Sequence, residues 1–252
     1  MNSQSSAAVS AVGARRGATV SDHAPWLLPA AFVAVLAIIW FSTLGLRALI
    51  NPDEGRYATL SLAMLQTGDW VTPRLNGLLY FEKPALQYWI GALAFKLLGV
   101  SEFSARVWPA LAALLTTVAV GFTGARLWGR ETGVRALAIC GSMTWIMGNG
   151  LYLTLDSGLA LWLTLTLCAM LLAHRPGLSA SVERRWILVA WASMALAVLT
   201  KGLVGIVIPG AVLVLLCLWQ RDATWWRGMH WVSGLLLFFA IAAPWFVVVS
   251  WR

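Results

Sequence analysis

The sequence predicts an all-α integral membrane protein of about seven transmembrane helices, with a long first extracytoplasmic loop that carries structure of its own. Three observations predict it. Hydrophobic residues make up 60% of the 252 residues and charged ones only 11%, a balance too apolar for a core surrounded by water. Apolar runs of roughly 20 residues, the length that crosses about 30 Å of hydrocarbon, recur along the chain. Arginines gather in alternate connecting segments, as expected if Lys and Arg are retained on the cytoplasmic side.

In chain order, residues 1–25 read as a polar, low-complexity, disordered cytoplasmic tail, with Arg15 and Arg16 as its basic residues. No cleavable signal is expected, because the apolar stretch that follows is too long and lacks a small-residue cleavage site. Residues 26–252 then form one polytopic domain. Its expected spans are Trp26 to Leu49, Val107 to Trp128, Val134 to Tyr152, Leu159 to Ala173, Trp186 to Leu199, Leu203 to Trp219 and Trp231 to Val249. Tryptophans at span ends, such as Trp128, Trp186, Trp219 and Trp231, suit an interfacial belt.

With the N-terminus inside, the cytoplasmic side receives Arg126, Arg130 and Arg135, then Arg175, Arg184 and Arg185, then Arg221 and Arg227. The net charge of +8 then reflects loops facing anionic lipid, and no motif points to nucleic acid. Counting Ala85 to Val100 as a further span would reverse every later loop. That segment is therefore expected to lie as an amphipathic helix on the outer membrane face. The first outer loop, residues 50–106, contains the helical stretches EGRYATLSLAMLQTG and PALQYWIGALAFKLLG. A structured loop of this length is usually functional.

Parity places Asp53, Glu54, Asp69, Glu82, Glu102 and Asp156 on the outer side with Arg56, Arg74, Lys83 and Lys201. His23, His174 and His230 fall in the tail or in cytoplasmic loops, so outer chemistry must use carboxylates and cations. Cys140, Cys168 and Cys217 lie inside expected spans and read as packing residues rather than as a disulfide or zinc framework. Each polar residue has a plain alternative. Asp53, beside Glu54, and Asp156 can cap helix N-termini, and Lys201 can extend its ammonium to the interface. A transporter or lipid-binding module is a rival class, but the charges cluster in loops at one face and no broken spans repeat with inverted topology.

The stretch NPDEGRYATLSLAMLQTGDWVTPRLNGLLYFEKPALQYWI resembles the first periplasmic loop of the bacterial aminoarabinose transferases of lipid A, a branch of the protein mannosyltransferase superfamily. That pattern runs DE-x-RYAE, then ML-x-SGDW-x-x-PRLNG-x-x-YFEKP, with Gly55, Thr59 and Thr67 as small departures here. The LD of LYLTLDSG and the TKG of VLTKGLVG match later motifs of the family in the same order.

The resemblance implies a C-type glycosyltransferase architecture of which this chain looks like the N-terminal portion. Relatives continue into another outer loop, further spans and a periplasmic domain, so this portion alone is expected to be inactive. The implied reaction transfers 4-amino-4-deoxy-L-arabinose, with inversion, from a polyprenyl-phosphate donor to a lipid A phosphate at the periplasmic face of the bacterial inner membrane. A sister activity on a protein or another glycan is the alternative. Carried onto this chain, the resemblance gives Asp53 and Asp156 as the catalytic acids. It gives Lys83, Arg56 and Lys201 to the donor phosphate, and Tyr57, Tyr80 and Glu54 to the donor pocket. Glu82 resembles a metal-binding position for a divalent ion, zinc or similar, whose partners lie outside this chain. No organic cofactor is expected. Asp53 would act as a base on a hydroxyl acceptor, or only position and polarise an already ionised phosphate.

Overall fold

The computed structural model describes residues 27–252. The expected disordered tail, residues 1–25, and the expected first residue of the first span, Trp26, lie outside the described residues. The described chain is nearly all helix: α1 (Leu27–Thr43), α2 (Asp53–Thr67), α3 (Leu86–Leu98), α4 (Glu102–Trp128), α5 (Arg130–Ser142), α6 (Thr144–Gly150), α7 (Asp156–Ala173), α8 (Ala180–Lys201), α9 (Val204–Gln220), α10 (Thr224–Arg227) and α11 (Trp231–Ser250). Between α2 and α3 runs a two-stranded antiparallel ribbon, β1 (Arg74–Leu75) and β2 (Leu78–Leu79).

This is the all-α membrane architecture the sequence predicts. By length and apolarity alone, α4, α7 and α11 suffice to cross a membrane, and α1, α3 and α9 are shorter apolar helices. Several expected boundaries shift. The first helix ends at Thr43 rather than Leu49, which leaves residues 44–50 as a turning segment containing Arg47. The span expected from Val134 to Tyr152 is interrupted: α5 closes at Ser142, and Met143 takes extended φ/ψ (−64°, 122°) before α6 begins. α3 is 13 residues, about 20 Å at 1.5 Å per residue, too short for the hydrocarbon core, in keeping with a helix that does not cross.

The first loop is docked on the bundle. Tyr57, Leu60, Ser61 and Met64 recur at helical spacing, so one face of α2 is buried, and it packs on α3. Leu60 and Met64 are 0% and 1% exposed, and burials of this kind are worth about 1.5–3 kcal/mol each. Gly91 makes the α2–α3 contact close, since a Cβ there would stand 2.9 Å from the Ser61 Cβ. The same core continues through Tyr88 and Phe95 of α3 into Ile187, Met194 and Leu199 of α8 and Phe238 and Trp245 of α11. Loop helices and membrane helices therefore share one interior.

Two indole N–H groups pin the loop further: Trp89 donates to the Trp70 carbonyl at 2.5 Å, and Trp245 of α11 donates to the Val71 carbonyl at 3.0 Å. The ribbon turns at Asn76 and Gly77, both at positive φ (53° and 85°), the two-residue hairpin geometry that an Asn-Gly pair favours. On the other side of the bundle, α4 and α5 approach through Gly121, Gly124 and Gly133. A Cβ on Gly133 would come within 2.7 Å of the Ala125 nitrogen and the Gly121 carbonyl oxygen.

Candidate functional site

The start of α2 sets two neighbouring acids on different duties. Asp53 is the first helical residue, and its side chain is 48% exposed. Its carboxylate faces Arg56, one turn on, at 3.8 Å, and takes no capping hydrogen bond among the described residues. Capping therefore does not account for it.

Glu54 points the other way and is 0% exposed. Arg106 of α4 donates through Nε to Oε1 at 2.8 Å and through Nη2 to Oε2 at 3.0 Å. Arg47 donates to the same two oxygens at 2.6 and 3.1 Å. The backbone N–H of Ile50 completes Oε2 and that of Leu153 completes Oε1, each at 2.9 Å. Burial alone would raise this carboxyl, but the two guanidiniums and two backbone donors outweigh it and hold the pKa at about 2. Arg106 also caps the turning segment, donating to the Leu44 and Arg47 carbonyls through Nη1 and to the Ala48 carbonyl through Nη2. Arg47 reaches on to the Leu151 carbonyl at 2.8 Å and lies over the Tyr152 ring. Glu54 was expected in the donor pocket. The structure instead gives it to a buried knot joining α2, α4, residues 44–50 and the segment before α7.

The remaining expected residues fall into two clusters. The first runs along the open edge of the loop. Tyr80, just past β2, donates its hydroxyl to Glu82 at 2.5 Å, and Lys83 lies 3.4 Å from the other Glu82 oxygen. The Tyr80 hydroxyl, and behind it Lys83 and Arg56, hold the Glu82 carboxyl below the usual carboxylate range. Arg56 stands beside Tyr80, so Asp53, Arg56, Tyr80, Glu82 and Lys83 form a continuous polar edge. Tyr57 lies beneath it, 9% exposed and stacked on Tyr88 with centroids 6.4 Å apart. Burial, reinforced by Tyr80 and Asp53, pushes its phenol up to about 12, so it remains a neutral hydrogen-bonding group.

The second cluster is an ion pair. Asp156 opens α7 and Lys201 closes α8, and the Lys201 ammonium donates to Asp156 Oδ1, with both side chains partly exposed. Lys201, expected on the donor phosphate, already has this carboxylate partner. Asp156 bonds to a cation rather than to helix N–H groups. The link between the clusters is the knot, since the Leu153 N–H it holds lies three residues before Asp156.

Arg47 and Arg106 are the residues that sequence reasoning passed over. Their signal was present: each is an isolated cation in apolar surroundings, a position that demands a partner. Asp69 is structural, accepting from the Val71 and Thr72 N–H groups at 3.1 Å. No group of three or more His, Cys, Asp or Glu residues is placed to hold a metal ion among the described residues. Glu82 offers one carboxylate, already engaged by Tyr80 and Lys83, so these residues do not by themselves make a metal site.

A family model described as dolichyl-phosphate-mannose-protein mannosyltransferase matches residues 26–252. The chain is 31% identical over 223 residues to an undecaprenyl phosphate-alpha-4-amino-4-deoxy-L-arabinose arabinosyl transferase of Erwinia tasmaniensis, covering 87% of this chain and 39% of that protein. Its counterpart of the same name in Aeromonas hydrophila is 32% identical over 231 residues, covering 90% of this chain and 41% of the relative. Among solved structures, ArnT from Cupriavidus metallidurans in the apo state superposes with a TM-score of 0.87 at 38% identity, over 89% of this chain and 42% of that one. The same protein bound to undecaprenyl phosphate gives 0.85 at 39% identity, over 91% and 42%. The chain thus spans about two fifths of the length of these relatives.

Proposed function

The chain belongs to the dolichyl-phosphate-mannose-protein mannosyltransferase family, and on that premise we propose that it carries the donor-binding and catalytic loop of a membrane glycosyltransferase. The proposed enzyme moves 4-amino-4-deoxy-L-arabinose from a polyprenyl phosphate to a lipid A phosphate, with inversion. The observation that carries this reading is the half-buried polar edge that links Asp53 to the cation Arg56 and, through Tyr80 and Glu82, to the cation Lys83. The likeness to a structure bound to undecaprenyl phosphate supports the donor class.

In the reaction, an acceptor oxygen forms a bond to the anomeric carbon while the bond from that carbon to the donor phosphate oxygen breaks. The electron pair leaves on the polyprenyl phosphate, whose negative charge grows. Lys83 and Arg56 supply preorganised positive charge to that oxygen, an effect that often carries the largest share of catalysis. Asp53 positions and polarises the acceptor. A lipid A phosphate is already ionised near neutral pH and needs no strong base. Tyr57 and Tyr80 line the donor side as neutral hydrogen-bonding groups, and the Asp156–Lys201 pair holds the acceptor or the sugar amine. Glu54 is given a positioning role, fixing the backbone that carries Asp53.

The proposed site faces the periplasm at the bacterial inner membrane, a reading supported by the arginine-rich segments, which favour a cytoplasmic N-terminus. A protein or another glycan as acceptor is a second reading, favoured by the description of the matching family itself. Incubating purified full-length protein with the polyprenyl-phosphate sugar and either lipid A or a Ser/Thr-rich acceptor peptide separates the two. Mass gain on lipid A alone is expected, and gain on the peptide alone would favour the second reading.

A further inference from the structure

The ribbon has one face that the loop site does not use. Tyr80 donates to Glu82 two residues on, so these alternate side chains share the side that carries the polar edge. Leu75 and Tyr80 pack against the core that α2 and α3 share, so that side is turned inward. Leu79 and Phe81 alternate with Tyr80 and Glu82 and are 52% and 47% exposed. Arg74 is paired with Leu79 across the ribbon, and residues directly opposite in an antiparallel pair share a face. The Arg74 guanidinium has no carboxylate partner among the described residues. Two large apolar side chains and an unneutralised cation thus stand together on the outward face.

Two indole bonds fix how deep this face lies. Trp245, which holds the Val71 carbonyl, is five residues before the end of α11, about 8 Å along a helix long and apolar enough to cross a membrane. Arg74 follows Val71 by three residues, so the ribbon begins within about 11 Å of that carbonyl. Trp89 of α3 holds the neighbouring Trp70 carbonyl, and α3 itself leaves Leu93, Leu97 and Leu98 exposed beside Lys96. The ribbon is therefore tied to the last turns of a membrane helix and to a helix with an apolar outer surface of its own. At that depth a leaflet supplies hydrocarbon for Leu79 and Phe81 and phosphate for Arg74, whose long stem reaches to headgroup level.

We propose that the Arg74, Leu79 and Phe81 face of the ribbon is a membrane-contact surface, seated in the leaflet on the loop's side with Arg74 among the lipid phosphates. The polar turn, Asn76-Gly77, stays at headgroup level within reach of water. The assignment rests on the membrane architecture of the chain and is independent of the sugar and the acceptor. Its consequence for the loop is a fixed height: Arg56 and Lys83 are held at the level of headgroup phosphates, where a lipid-linked phosphate arrives without leaving the bilayer.

The test is fluorescence quenching of full-length protein in nanodiscs of phosphatidylglycerol and phosphatidylcholine, with a bimane label on Phe81→Cys and wild type treated alike as background. A lipid carrying a nitroxide near the top of its acyl chain should lower the emission at least about twofold, as for a probe roughly 5–10 Å into the headgroup and acyl boundary, and aqueous iodide should have little effect. A label on Leu79→Cys should behave in the same way, and it decides the matter if Phe81→Cys fails to fold. Adding Leu79→Glu to the labelled Phe81→Cys should abolish quenching by lipid and admit iodide at an unchanged unfolding midpoint. Arg74→Glu, which sets a like charge against the phosphates, should weaken quenching by lipid. Quenching by iodide alone would put the face in water and overturn the proposal. Protection from both quenchers would overturn it too, since another segment of the chain or a second copy would then cover the face, as would undiminished lipid quenching in the Leu79→Glu or Arg74→Glu variant.

Discussion

Glu54 and Arg106 meet as a two-bond fork, Nε to Oε1 at 2.8 Å and Nη2 to Oε2 at 3.0 Å, with both side chains at most 1% exposed. Removing one member of such a pair leaves an unpaired buried charge, at a cost of about 3–5 kcal/mol. Arg106→Ala is therefore expected to lower the unfolding midpoint of the full-length protein severely, and Glu54→Ala comparably. The double variant should be less destabilised than the two losses added, since each single change orphans the other group. Additive losses would show that the fork is not coupled.

The same knot predicts an acid limit. The folded Glu54 carboxyl, at about 2, lies below its ordinary 4.5, so the unfolded chain takes up the proton first as pH falls. The stabilisation is complete above about 4.5 and is lost as pH falls towards 2. Thermal unfolding at a series of pH values should therefore show wild type and Glu54→Gln converging over that window. A gap of constant size down to pH 2 would contradict the assignment.

Lys83 separates phosphate binding from general attachment to lipid. It stands two residues before Ala85, the residue that precedes α3, on the polar edge with Glu82, whereas Lys96 is exposed in the last turn of that helix. Lys83→Ala is expected to weaken polyprenyl-phosphate binding by tenfold or more, the scale of one charge-assisted contact of about 1.5–3 kcal/mol. Lys83→Arg should recover only part, because a planar guanidinium does not reproduce a compact ammonium. Lys96→Ala and Lys96→Arg should leave binding near wild type. Equal losses at both lysines would mean membrane anchoring and nothing more.

Much of this arrangement was legible in the chain before its structure. The apolar runs gave the membrane helices, and the arginine clusters argued against a crossing at α3, whose 13 residues agree. The DE, FEKP, LD and TKG motifs marked the polar residues that the fold distributes along its loops. What escaped was long-range pairing. Glu54 finds Arg106 at a separation of 52 residues and the Leu153 N–H at 99, and Asp156 finds Lys201 at 45. No local periodicity encodes such partners, so an acid read as pocket lining became a buried fastening. The ribbon differs, because Asn76-Gly77 between short apolar runs is a readable hairpin signal that the helical reading of the loop passed over.

The proposed topology can be probed with single cysteines in full-length protein. Thiols placed at Arg130 and Ser179 are expected to react with an impermeant reagent only from the cytoplasm, and one at the ribbon turn, Asn76, only from the periplasm. Labelling of Ser179→Cys from the periplasm would require α3 to span and would separate the Asp53 edge from the Asp156–Lys201 pair.

The central claim is that Asp53 serves transfer and does not hold up the helix. Asp53→Asn in full-length protein keeps the shape and hydrogen-bonding capacity of the side chain and removes its charge. Loss of a plain cap would cost about 1 kcal/mol of stability and leave the reaction running. The account predicts unchanged expression, unfolding midpoint and polyprenyl-phosphate binding, with sugar transfer reduced by at least about 100-fold, the lower range for a positioned catalytic group. The direct measurement is mass spectrometry of lipid A from cells carrying wild-type or Asp53→Asn protein. An aminoarabinose mass increment with wild type and none with the variant is the expected result, and equal increments in both would contradict the account.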